Sequence, residues 1–280
     1  MLKKSLSYFI IIFIAFSASA QIPLFQVRLT PEQVAAIDEK NSNIVISALN
    51  GKTGIDPFEY ADRSSLKTVV IEEGIETIGE YAFLGCTSLV SVSLPSSLKE
   101  IGEGAFRECT NLESLNIPEG VKVIPPYLCT WDEKLSEVAL PESVIDISRN
   151  AFSYCKDLKS INIPSGLKHI GPNAFSFCTS LSEIELPDTI EELESYAFSG
   201  CESLERVKLP ANSNMLGELL FTGCKNLKEI SCMSDTPPSF DCNSPLFDIS
   251  ETDLWLQCQL KINPDSKSLF MQAPVWKLFF

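Results

Sequence analysis

Apolar residues recur along this chain with a fixed period. Leu66, Leu89, Leu112, Leu135, Leu158, Leu181, Leu204 and Leu227 follow one another at steps of 23 residues. Three residues after each comes Val69, Val92, Leu115, Val138, Ile161, Ile184, Val207 or Ile230. Two further on come Ile71, Leu94, Ile117, Leu140, Ile163, Leu186 and Leu209, and in six units a proline follows directly, from Pro95 to Pro210. Later in each unit stand Ile78, Ile101, Ile124, Ile147, Ile170, Leu193 and Leu216. An Ala-Phe pair closes the unit at Phe83, Phe106, Phe152, Phe175 and Phe198, and Cys86, Cys109, Cys155, Cys178, Cys201 and Cys224 share one register.

One coil of a solenoid per unit accounts for this order. The segment L-x-x-V-x-I ends with period two, as a strand with one inward face does. Proline stops that strand because it has no N–H to donate to a ladder. A second short extended piece ends at the later Ile, and a tight Ala-Phe turn brings the chain back. One coil cannot bury its own apolar positions, so stability must come from stacking. Each Phe ring contributes about 150–250 Å² of burial. The expected fold class is a β-rich leucine-rich-repeat solenoid, a right-handed coil stack with short strands and turns, capped at both ends.

The motif AFxxCxxLxSIxIPxxVxxIGxxAF resembles the BspA-like leucine-rich repeats of bacterial surface proteins. The stretch LKSINIPSGLKHIGPNAFSFCTSL, residues 158–181, follows it nearly position for position. The resemblance covers about residues 66–232, and TPPSF at 236–240 with LKINPDSKSLFMQAPVWKLF at 260–279 looks like the family's usual terminus. It implies export and a role in adhesion or recognition; it supplies neither a defined ligand nor catalytic residues.

The ends read differently. Lys3 and Lys4, an apolar run over residues 5–16 and Ala18-Ser19-Ala20 form a signal peptide, with cleavage near Ala20. The run is short for a membrane span and no second one follows, so the mature chain is expected without one, secreted or at the cell surface. The expected division is a signal peptide over 1–20, an N-terminal cap over 21–65 with a short helix from Thr30 and a degenerate coil with a strand over 44–49, the solenoid over 66–232, and a C-terminal cap over 233–280 packed by Trp255, Trp276, Phe279 and Phe280. The third unit is irregular: Leu128, Cys129 and Asp132 replace Ala, Phe and Cys after Pro125-Pro126, and its turn geometry is expected to differ.

Ten cysteines in an exported chain suggest disulfides. Six of them stack in register with parallel Cβ vectors, which disulfide geometry disfavours. They read as a ladder of small buried thiols; Cys232, Cys242 and Cys258 leave a cap disulfide open. The formal charge of −15 makes a nucleic-acid partner unexpected. With a single His, His169, there is little material for a catalytic triad, and no Walker, Rossmann or G-x-S-x-G motif occurs. No enzyme, cofactor or metal site is expected. His169, Asp132-Glu133 and the pair Glu183 and Glu185 read as solvated surface.

A partner is sought instead among outward positions, which line up across coils. The main-strand strip includes Asn116, Asn162, Glu183 and Glu185 and turns basic at Arg206 and Lys208. The position before the register Cys places Trp131, Tyr154 and Phe177 in one row, where other coils carry Gly85, Glu108, Gly200 and Gly223. Such rings could stack on a sugar or grip a peptide. Tyr81, Tyr127 and Tyr196 share a second outward register. The expected function is adhesion to, or recognition of, a protein or glycan partner; the alternative is a structural or accessory cell-envelope role without a dedicated ligand.

Overall fold

The computed structural model describes residues 42–48, 51–211, 215–240, 246, 248 and 256–280. The expected signal peptide and the expected helix from Thr30, with Cys242 and Trp255, lie outside the described residues. Strands β1 to β19 follow in chain order, and odd and even strands take different places in the coil. The main strands are β1 (Asn43–Ile46), β3 (Thr68–Ile71), β5 (Ser91–Ser93), β7 (Ser114–Asn116), β9 (Glu137–Ala139), β11 (Ser160–Ile161), β13 (Glu183–Glu185), β15 (Arg206–Leu209), β17 (Glu229–Cys232) and β19 (Gln259–Ile262). The short second strands are β2 (Gly54–Ile55), β4 (Thr77–Ile78), β6 (Glu100–Ile101), β8 (Val123–Ile124), β10 (Asp146–Ile147), β12 (His169–Ile170), β14 (Glu192–Leu193), β16 (Met215–Leu216) and β18 (Ser239–Phe240). All pairings are parallel between neighbouring coils, as Thr68 opposite Ser91 and Asp146 opposite His169 show. This is the stacked-coil solenoid of the leucine-rich-repeat class.

Three rails of backbone hydrogen bonds join the coils. Val90 N donates to Lys67 O (2.8 Å) in the main sheet and Lys99 N to Glu76 O (2.8 Å) in the second. On the turn side the direction reverses, and Phe83 N donates to Ala105 O of the next coil (2.8 Å). The inward Leu, Val, Ile and Phe positions fill one continuous core. Phe83, Phe106, Phe152, Phe175, Phe198 and Phe221 are all fully buried. Their rings stack where consecutive coils both carry one: Phe83 on Phe106 at 5.4 Å and Phe175 on Phe198 at 5.4 Å. Cys129 interrupts the file between Phe106 and Phe152.

The register cysteines are buried, and no disulfide forms among the described cysteines. Each Sγ–H donates to a main-chain carbonyl of the coil before it: Cys109 to Phe83 O (3.2 Å), Cys178 to Phe152 O (3.1 Å), Cys201 to Phe175 O (3.2 Å). Burial pushes these thiols up, Cys201 to about 12.

The irregular third coil corrects two expectations. Its turn backbone is the common one: Tyr127 and Trp131 take φ of 57° and 71°, and Asp132 N donates to Cys129 O (3.1 Å) as Cys109 N does to Phe106 O (3.2 Å). Asp132 is not surface. It fills the cysteine position and has no exposed area. Its Oδ1 accepts from Cys109 N at 2.8 Å, while Oδ2 is buried without a hydrogen-bond partner. Burial among apolar neighbours holds its carboxyl well above the usual carboxylate range.

The second sheet divides between β6 and β8. At the site of Pro125, Gly79, Gly102 and Gly171 donate their N–H to Ile55, Ile78 and Ile147 of the coil before (2.9, 2.7 and 2.8 Å). Proline cannot. The main sheet divides between β11 and β13. Near this division the Asn162 side chain stands in for its own backbone, accepting from Leu140 N (3.2 Å) and donating to Leu140 O (2.7 Å).

Beyond residue 232 the chain does more than fold over the last coil, since β19 adds a further main strand alongside β17. A four-residue helix, Lys267–Phe270, and a 3₁₀ turn over Trp276–Phe279 follow. Trp276 is buried, donates Nε1–H to Pro238 O (2.8 Å) and meets Phe270 edge-on at 5.3 Å. Phe280, expected as packing, is half exposed with Lys267 over its ring at 5.6 Å.

Candidate functional site

Two positions in each turn take the left-handed backbone region, one before the Ala and one before the Cys. The second is Gly in three coils: Gly85, Gly200 and Gly223, with φ of 68°, 73° and 75°. Trp131, Tyr154 and Phe177 hold the same conformation at 71°, 64° and 60°. For an L-residue this costs about 1–2 kcal/mol each. The backbone enforces it, because each N–H is tied to the following coil: Trp131 to Ser153 O (3.0 Å), Tyr154 to Ser176 O (2.8 Å), Phe177 to Ser199 O (2.7 Å). Ser153 and Ser176 are buried beneath the row and share a hydroxyl hydrogen bond of 2.7 Å.

The three rings form one stack running along the solenoid. Trp131 and Tyr154 lie 3.8 Å apart at 10°, and Tyr154 and Phe177 4.6 Å apart at 12°. The row is partly open to solvent, with Trp131 at 37% and Phe177 at 41% exposure. At one end Phe177 lies over Gly200, where a Cβ would come within 2.7 Å of the ring. At the other, Glu108 occupies the equivalent position and pairs with Arg107 (3.1 Å). The inner faces of the rings are used on one another, so the stack leaves ring edges to the solvent.

The main-strand strip is exposed along its length. Asn116 lies outward on β7 and Glu183 and Glu185 on β13. Glu183 pairs with Arg206 (3.2 Å), and Glu185 stands opposite Lys208 in register. The acidic and basic positions therefore offset one another. Asn162 is committed to Leu140, as described above. In the second aromatic register, Tyr81 donates its hydroxyl to Glu103, and Tyr127 lies between Arg107 and Arg149 at 5.8 and 5.2 Å. The strip and the stack occupy different sides of each coil.

The outward position of His169 agrees with the repeat register, but its setting is not plain solvent. Asp146 Oδ2 and Glu194 Oε1 each lie 2.6 Å from a ring nitrogen. The Asp146 hydrogen bond, with Glu194, raises its pKa to about 9. The spacing of 23 residues from Asp146 to His169 to Glu192 was visible in the sequence; Glu194, two residues further on, departs from it.

The sequence matches the family model described as BspA type Leucine rich repeat region, in 6 copies, over residues 53–168 and 145–237. Among solved structures, it is similar to a leucine-rich cell surface protein from Faecalibacterium prausnitzii A2-165 at 26% identity and a TM-score of 0.50. That match covers 69% of this chain and 61% of the other. A leucine-rich repeat protein from Bacteroides ovatus ATCC 8483 is 22% identical with a TM-score of 0.52, over 79% of this chain and 66% of that one. The chain thus spans less than two thirds of either relative. No curated protein matches it. No helix among the described residues is long and apolar enough to cross a membrane.

Proposed function

The chain belongs to the BspA-type leucine-rich-repeat family, and from that premise we propose that it is a secreted or surface-displayed binding module whose contact is the stack of Trp131, Tyr154 and Phe177. The observation that carries this is the choice of residue. The backbone demands the conformation glycine adopts most easily, three other coils use glycine there, and three consecutive coils bear aromatic rings instead, the outer two exposed and Tyr154 partly buried between them. The left-handed position recurs in every turn, so it is the run of aromatic residues on it, not the conformation alone, that favours a contact site.

The arrangement favours a protein partner over a glycan. A sugar stacks on an open ring face, and the inner faces here are engaged at 3.8 and 4.6 Å. Ring edges of a part-exposed stack suit an apolar protein surface. Asn116 and the Glu183/Arg206 pair would form a separate polar surface. The similarity to a leucine-rich cell surface protein of F. prausnitzii supports display outside the cell.

A specific observation also favours a structural role: the rings satisfy one another and cover Gly200. One experiment separates the two. The protein is applied to arrays of surface and matrix proteins and of glycans, beside a Trp131→Gly/Tyr154→Gly/Phe177→Gly variant. Glycine is the replacement because other coils already carry it. The expected result is binding to a protein that falls at least about tenfold in the variant, since central aromatic anchors contribute about 2 kcal/mol or more each. Undiminished binding would leave the row a structural role alone.

A further inference from the structure

We propose that His169, Glu192 and Glu194 form a binding site for a zinc-class divalent cation, with Asp146 as its positioning residue. The sequence offered no metal cluster because the groups come from three coils. The parallel ladder assembles them: Asp146 stands opposite His169, and His169 opposite Glu192. Glu194 lies two residues beyond Glu192 and so on the same outward face. One ligand atom from each of His169, Glu192 and Glu194 lies within 4.8 Å of the others.

The imidazole is already oriented. Asp146 Oδ2 lies 2.6 Å from Nδ1, and Ser148 Oγ in turn donates to Asp146 Oδ1 at 2.7 Å. A histidine held through one nitrogen by a carboxylate presents the other as a metal ligand, the common arrangement around zinc. Here Nε2 faces Glu194 Oε1 at 2.6 Å. Ligands at about 2.0–2.1 Å from a tetrahedral zinc stand roughly 3.4 Å apart, so the pair opens by less than an ångström. Glu194 can supply that movement: its side chain is 45% exposed while its N–H stays bound to Ile170 O (2.9 Å). Water takes the fourth position.

The charge balance suits a dication. Asp146 flanks the ring on one side and Glu192 and Glu194 on the other, and the neighbouring Lys168 is paired with Glu191 (2.9 Å). On binding, the Nε2 proton passes to solvent and a lone pair goes to the metal; nothing is oxidised. A bound cation would tie β10, β12 and β14 together.

His169 is the one histidine of the chain, so imidazole NMR signals report it alone. The full chain, carrying no histidine tag, is titrated with zinc chloride. The expected result is a saturable shift of the Nε2 signal at one equivalent and a higher Tm. Asp146→Asn is expected to weaken binding about 10–100-fold, His169→Gln and Glu192→Gln to do so at least tenfold, and the Tm gain to vanish in His169→Gln. Imidazole signals that stay fixed while zinc binds elsewhere on the acidic surface, no binding at all, or equal affinity in His169→Gln would each overturn the proposal.

Discussion

Asp132 shows what a single residue does to a repeated environment. In six coils its position holds a thiol, whose hydrogen goes to a carbonyl of the coil before, as from Cys155 to Cys129 O (3.2 Å). An ionised carboxylate has no hydrogen to give there; a protonated one does. Its folded pKa is raised, so the fold favours the protonated form, and stability is lost as pH climbs above the unfolded value near 3.8. Asp132→Asn and Asp132→Cys are therefore expected to stabilise the protein at pH 7 by about 1–3 kcal/mol, the cost of a buried unsatisfied polar group. The gain should shrink below about pH 4, where both states carry the proton. Urea unfolding at pH 7 and pH 3.5 measures it; a pH-independent difference would contradict this account. The oddity of this coil was legible in the sequence. The burial of Asp132 was not, because a charged residue beside Glu133 reads as surface until its register position is given precedence over its chemistry.

Elements are set by the same register, and the second sheet breaks where a backbone donor is lost. Strand positions and the inward or outward sense of nearly every apolar residue followed from period 23 and period two. The two divisions of the sheets did not. Pro125 removes a donor that glycine or serine supplies in other coils, as from Ser148 N to Ile124 O (2.9 Å). The loosening extends to its neighbours: Lys99 N and Lys168 N donate to the coil before at 2.8 and 3.0 Å, and among the described residues Lys122 N has no such bond. Amide exchange at Lys122 is expected to be at least about tenfold faster than at Lys99 or Lys168, and exchange resolved by residue would test it. Comparable protection would mean that β6 and β8 remain joined. The ring stack was legible as a row; that its rings would close on one another was not, since sequence gives the spacing of coils but not the tilt of side chains.

For the whole molecule, the period itself is the architectural constraint. Each coil touches its neighbours only, so stability is close to a sum over coils and their interfaces. Removing residues 159–181 joins Leu158 to Ser182 and keeps every inward rail aligned. That deletion is expected to give a folded protein with a cooperative melt and a lower Tm. Removing residues 159–178 instead shifts the Leu, Phe and Cys rails of one half against the other and should not fold. Circular dichroism melts decide between them; two equally folded products would show that neighbour contacts do not depend on the repeat length.

The buried thiols carry a consequence for how such a molecule is made. Their hydrogens are spent on main-chain carbonyls, and burial keeps them from the ionised form that oxidants attack. The stack needs no oxidase to complete it and no isomerase to sort its six register cysteines. It takes the same shape in a reducing or an oxidising compartment, with cysteine serving as a compact wedge rather than a clasp.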